Sequence, residues 1–412
     1  MPNTRDLAVL WVMLMSAAGC RDAVAPSHEP EPITIAATVS ETGIRTRSAG
    51  EMGRGYRLAV EMLNEMGGVG GRQIRLVTLD DASDPATAAR LYEAFTAADS
   101  IDALLGPFSS PITEAVLAVT EAAGWPLIAP LASAPGIWSE RGRRWSVQML
   151  DPGPMRFRGM VELAARNGAR TVALVYEEST FPVSLAEGIR AAAGEDGLTI
   201  VLDRSYPVGG ADHATLAAAA RDAGGDLFIG GGYYDDAVGF TEAMAETGYI
   251  PLMASLSLGP ADPRFVEDVG DLARCIAGPT TWTPAVRTSG FIADSETFVR
   301  RYQRAYESLP GYHAAGGFGA VELLAEAIEA TLTAAGEIDH AAVRDYLFSA
   351  STETVLGPHA VYSLGTEQAG GQRALAALQV QWQDDGSGGL VQRIIHPEAA
   401  AEAEPCLLRP NP

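Results

Sequence analysis

Short apolar, β-prone runs separated by helix-length amphipathic segments recur along most of this chain. That alternation constrains its fold more than any other feature. The first run, Ile33-Thr34-Ile35-Ala36-Ala37-Thr38-Val39, suits a strand buried on both faces. A Gly- and Ser-rich loop over 40–53 follows, then a helix over Arg54–Met66 with Tyr56, Ala59, Val60 and Leu63 on one face, ended by Gly67-Gly68. Ile74–Leu79 is the next strand. Helices over 85–98 and 111–123 then alternate with strands over 103–105 and 126–128. A second set begins near 153, with helices over 154–167, 183–194, 215–222 and 235–247 and strands over 171–176, 198–202, 227–230 and 250–253. Strands joined through helices pair in parallel, so the two sets predict two doubly wound α/β lobes and not one large sheet. Beyond them the pattern changes to helices over 295–306, 317–334 and 340–349, then a β-hairpin formed by 375–382 and 390–396. Those late helices need a surface, so the chain is expected to cross back and cover both lobes. Several crossings make a hinge. Residues 397–412 read as a loose tail.

Charge and cysteines narrow the function. The 412 residues carry 52 Asp+Glu against 29 basic residues, a net −23, which argues against a nucleic-acid partner. Every basic residue is Arg, so a Schiff-base or phosphate-loop Lys is excluded. Residues 1–19 hold Arg5, an apolar run from Leu7 to Ala18 and small residues up to Gly19, too short a run to span a bilayer and typical of a secretory signal. Ala17-Ala18-Gly19-Cys20 resembles a bacterial lipobox, with Ala17 where Leu is usual. Lipidation at Cys20, plain secretion and a retained anchor are the alternatives, with lipidation preferred. Residues 20–32 are polar and Pro-rich, an extended tether. Cys275 and Cys406 then remain, either as a disulfide in an oxidising compartment or as two unrelated thiols.

Catalytic signatures are scarce. The six His at 28, 213, 313, 340, 359 and 396 form no metal-ligand spacing, and no G-x-S-x-G elbow occurs. Gly67–Gly71 follows a helix, whereas a dinucleotide loop follows a strand. Asp80-Asp81 reads as a solvated or capping pair rather than a metal site. What remains are small polar residues beyond the carboxyl ends of strands, where open α/β sheets hold ligands. Ser109 and Ser110 follow 103–105 and open a helix; the simplest role for Ser there is capping, and the alternative is an anion site. Ala132 and Ser133 follow 126–128, Phe181 follows 171–176, and Tyr233 follows 227–230. Such features after four strand ends in two lobes point to one shared cleft. They indicate a binder with neither cofactor nor metal.

The chain resembles the type I periplasmic substrate-binding proteins of ABC transporters, in the branched-chain amino-acid (Leu/Ile/Val) group. The resemblance rests on Asn64–Arg72 (NEMGGVGGR), Asp80–Pro85 (DDASDP), Gly106–Ser110 (GPFSS), Gly232-Tyr233-Tyr234 and Val355–Pro358 (VLGP), and covers about 33–395. It implies two Rossmann-like lobes joined by three hinge strands, one over 33–150 with 282–355 and the other over 151–281 with 356–396. It further implies a monomeric solute binder outside the cytoplasm, anchored to a membrane by lipid, whose partner is an ABC permease; a sensor component without a permease shares the fold. By this resemblance Ser109 and Ser133 hold a ligand carboxylate, with Ser110 and Ala132 beside them. Phe181 and Tyr233 cover the ligand, and Asp151 lies near its ammonium. Two departures bear on the ligand. Leu256 stands where the family has a Glu for that ammonium, so amides, urea-like compounds and carboxylates compete with branched amino acids. Ser48 stands where the amino-acid binders can carry a Trp.

Overall fold

A computed structural model describes residues 30–138 and 142–410; the signal-like segment and Cys20 lie outside the described residues. Strands β1 (Ile33–Thr38), β2 (Ile74–Leu79), β3 (Ala103–Leu105), β4 (Leu127–Ala129) and β5 (Ser146–Gln148) form a parallel sheet in the order β2-β1-β3-β4-β5. Strands β6 (Thr171–Glu177), β7 (Thr199–Tyr206), β8 (Leu227–Gly231), β9 (Met253–Leu256) and β10 (Ile276–Thr280) build a second parallel sheet. After a small separate ribbon of β11 (Thr352–Thr354) and β12 (Gly357–His359), the hairpin β13 (Leu378–Asp384) and β14 (Leu390–His396) adds antiparallel to β10. The second order is therefore β14-β13-β10-β9-β8-β6-β7. Central strands β1 and β8 are buried along their whole length, as continuous apolar runs covered by helices on both faces must be. These are the two doubly wound lobes that the alternation predicts.

Four features differ from the sequence reading. The first long helix runs Thr46–Glu65, so half of the expected loop over 40–53 is helical. Gly55 serves contact with helix Tyr312–Thr331: a Cβ on Gly55, or on Gly317 of that second helix, would sit 2.2 Å from the backbone oxygen of Ala314 or Met52 respectively. Strands β5 and β10 carry no strand pattern in the sequence, because Ser146-Val147-Gln148 has one apolar residue and Ile276–Thr280 contains Gly278 and Pro279. Residues 360–374, expected in the second lobe, hydrogen-bond to the first: Gln148 N donates to Gly370 O (2.8 Å) and Gln372 N to Gln148 Oε1 (3.1 Å). The last crossing therefore lies between Ala374 and Leu378, not at 356. Residues 397–410 are not loose. Glu402 N donates to Ile394 O (2.7 Å), Leu408 N to Leu252 O (3.0 Å), and Arg409 pairs with Asp226 (2.6 Å).

Candidate functional site

The loops after β3 and β4 face the second lobe across a small, partly open cavity whose empty volume, open solvent included, is about 290 Å³. The first lobe contributes Phe108, Ser109, Ser110, Leu131 and Ser133, and the second contributes Phe181, Tyr233 and Leu258. Leu150 and Arg156, on the chain between the sheets, and Tyr312, at a helix start, complete the walls.

Ser109 opens the turn into helix Ser110–Ala123 but does not cap it. Its backbone sits at φ 78°, and its Oγ is buried with no hydrogen-bond partner. A non-Gly residue held in the left-handed region is strained by about 1–3 kcal/mol, and ligand clamps are where such strain collects. Ser110 is committed differently: its Oγ accepts from Ser133 N and Ala134 N, both at 3.2 Å, and so ties the two loops together. Phe181 and Tyr233 meet edge to face at 5.9 Å, and Phe108 reaches Tyr233 at 6.4 Å from the opposite lobe. Burial pushes the Tyr233 phenol up to about 12, so it stays neutral at pH 7, and its hydroxyl has no partner.

Three expected residues are placed elsewhere. Ala132 is packed in the first lobe's core, its carbonyl accepting from Gln148 Nε2 at 2.9 Å. Leu256 is fully buried in the second lobe's core against Gly230 and Phe240, because β9 still alternates there; the chain then turns at Leu258 (φ 63°), which reaches the cavity instead. Asp151 sits behind the wall and meets a cation of this chain: its Oδ1 accepts from Arg156 Nη1 (2.8 Å) and Thr281 Oγ1 (2.7 Å).

Arg156 is the residue the sequence reading missed. Only 1% exposed, it lines the cavity with Nε and Nη2 undonated. Its pairing with Asp151 makes burial of the guanidinium tolerable, and the two spare N–H groups form the planar fork that suits a carboxylate. The available signal was the spacing of Asp151 and Arg156 about the uncharged Pro152–Met155. The cavity thus offers a cationic fork and a free hydroxyl among apolar and aromatic walls, with no acidic side chain on its lining. Among the described residues no group of three or more His, Cys, Asp or Glu could hold a metal ion, and no helix is long and apolar enough to cross a membrane. Cys275 and Cys406, 131 residues apart in sequence, are joined through their sulfurs, with Cα atoms 5.2 Å apart.

Two lobes meeting over a small cavity of unspent hydrogen-bond donors define a two-domain solute binder. The chain belongs to the periplasmic binding protein family, whose model matches residues 32–407. Membership makes it an extracytoplasmic binder of solute, not an enzyme. Leu/Ile/Val-binding protein homolog 7 of Brucella abortus (strain 2308) is 29% identical over 374 residues, covering 86% of this chain and 88% of that protein. A leucine-binding protein, LivK, of Thermotoga maritima superposes with a TM-score of 0.76 at 20% identity, over 89% of this chain and 99% of its own. A solute-binding protein of an ABC transporter from Rhodopseudomonas palustris, solved with 3,4-dihydroxybenzoic acid, also gives 0.76, at 18% identity over 90% and 98%.

Proposed function

We propose that this protein captures a small carboxylate with an apolar body and presents it to an ABC permease. The observation that carries this is Arg156, whose Nε and Nη2 have no partner, facing a cavity that also holds the free Ser109 hydroxyl and no acidic side chain. A carboxylate would take both donor sets, and Phe108, Phe181, Tyr233 and Leu258 would enclose its body. A buried ammonium, by contrast, needs an acceptor of opposite charge, and the cavity lining holds no acidic side chain. The second reading, a branched-chain amino acid, is favoured by the names of the relatives and by the unpartnered Oδ2 of Asp151.

Calorimetry with leucine and 4-methylpentanoate separates the two, since the acid is leucine without its ammonium. The carboxylate reading expects the acid to bind at least as tightly. Leucine binding about tenfold or more tightly overturns it. In either case the mechanism is closure about the hinge: ligand touching both lobes stabilises the closed arrangement that the permease reads. We assign Cys20 the role of lipid attachment after removal of residues 1–19, holding the monomer on the periplasmic or cell-surface face of a bacterial membrane, with 20–32 as its tether.

A further inference from the structure

The cavity just described is only the inner part of the space between the lobes. On the far side of Phe108 and Tyr233 lies a second, larger chamber, with about 940 Å³ of empty volume and open to a similar degree, and both side chains line both spaces. What lies on that outer face of Tyr233 is Arg45. Its guanidinium carbon is 3.2 Å from the Tyr233 ring centroid, and its Nη2 donates to Glu177 Oε1 at 2.9 Å across the lobe boundary. Arg45 is 8% exposed, and Glu177 is further fixed by Ser179 Oγ at 2.6 Å.

The loop that carries Arg45 is itself held. Asp81 accepts from Thr38 Oγ1 (2.7 Å) and Ser40 Oγ (2.5 Å), Asp80 accepts from Thr42 Oγ1 (2.6 Å), and Arg45 N donates to Ser83 Oγ (3.0 Å). The arginine is thus a fixed wall, with both its face and its charge satisfied.

We infer that Arg45, stacked on Tyr233 and fixed by Glu177, partitions one continuous interlobe cleft and sets the maximum length of ligand that the protein accepts. The inference rests on the reading of the inner cavity as the ligand site. Tyr233 cannot swing outward while the guanidinium covers it, so a body longer than the inner chamber meets a closed wall. Without the Arg45 side chain the ring gains room to move, and the two chambers join.

The test compares wild type with two double variants, R45A/E177Q and R45M/E177Q. E177Q avoids leaving a buried carboxylate unpaired, and Met keeps an unbranched stem over Tyr233 without the charge. Affinities are measured by calorimetry for two homologous series of increasing chain length, the ω-phenylalkanoates and the unbranched 2-aminoalkanoates. In whichever series binds, wild type should favour short members. R45A/E177Q should raise the affinity of long members relative to short by about tenfold or more, and R45M/E177Q should keep the wild-type preference. An unchanged length preference in R45A/E177Q, or the same shift in both double variants, overturns the partition. Binding confined to the amino-acid series overturns the carboxylate reading but leaves the partition to be judged by the length ratio. Binding of neither series to any of the three proteins overturns both.

Discussion

Ser109 combines a strained backbone with an unused hydroxyl, and the two can be separated by substitution. S109A keeps the strain and removes the hydroxyl, so ligand affinity should fall by about 1–3 kcal/mol with little change in melting temperature. S109G removes both, and should lower affinity similarly while raising the melting temperature, because Gly adopts positive φ freely. A melting temperature that falls in S109G would show that the turn is not strained. Deeper in the same lobe, burial pushes the Glu322 carboxyl up from 4.5 to about 7, although Ile292 N, Ala293 N and Val355 N all donate to it. Burial drives His359 the other way, from 6.5 to about 4. Between 4.5 and 7 the folded state holds the Glu322 proton longer than the unfolded chain does, so that contribution to stability falls as pH rises. Between 4 and 6.5 the unfolded chain holds the His359 proton longer, so that contribution rises with pH. The two oppose each other over the shared window. E322Q removes only the first, and its stability should climb more steeply with pH than that of wild type. Denaturant titrations at pH 4.5, 5.5 and 6.5 read the slopes, and parallel curves would count against the assignment.

At the scale of elements, the segment after β14 behaves as part of the second lobe. The Cys275–Cys406 bridge closes a loop of 131 residues in sequence separation, and Gln381 holds both ends by donating from Nε2 to the carbonyls of Cys275 and Cys406, each at 2.9 Å. Chain-entropy reasoning sets about 5 kcal/mol for a bridge of this span, and strain in the folded state and residual structure in the unfolded chain usually lower such values to roughly 2–4 kcal/mol. C275S/C406S should therefore lose about that much stability, and limited proteolysis should cut first within 397–410. Two free thiols in the denatured, unreduced protein would remove the bridge altogether. A different element-scale lesson comes from helix Thr46–Glu65. Gly50 and Gly53 read as loop residues, yet both are helical, and Gly55 in the same helix is required by close approach of a helix more than 250 positions away in sequence.

At the scale of the molecule, two arginines tie the lobes together in different surroundings. Arg45–Glu177 is buried, whereas Arg47 reaches Asp268 (2.7 Å) and Asp262 (3.3 Å) across the boundary with 31% of its side chain exposed. Arg47 lines the outer chamber and not the inner one. R47A should therefore weaken every ligand by a similar factor of about 2–5, the size of a partly exposed ion pair, without changing selectivity. That loss should shrink in 0.5 M salt, where screening is effective over about 4 Å. A change in ligand ranking would instead place Arg47 in direct contact with solute.

The sequence by itself determined the two α/β lobes, because burial imposes a period on each strand and helix that is readable from neighbouring residues. It also placed Ser109, Ser133, Phe181 and Tyr233 beyond the carboxyl ends of strands, and in the structure all four line the inner cavity. It did not determine which side chains at those ends face inward. Leu256 and Leu258 differ by a turn that breaks the strand's alternation, and Asp151 and Arg156 acquire their roles only by meeting each other and Thr281, 130 and 125 positions away. The partition by Arg45 was equally invisible, because Glu177 and Tyr233 reach it from the other lobe. Periodicity is a local property of the chain, whereas the charge balance and shape of the cavity arise from contacts between distant segments, and those only the tertiary structure decided.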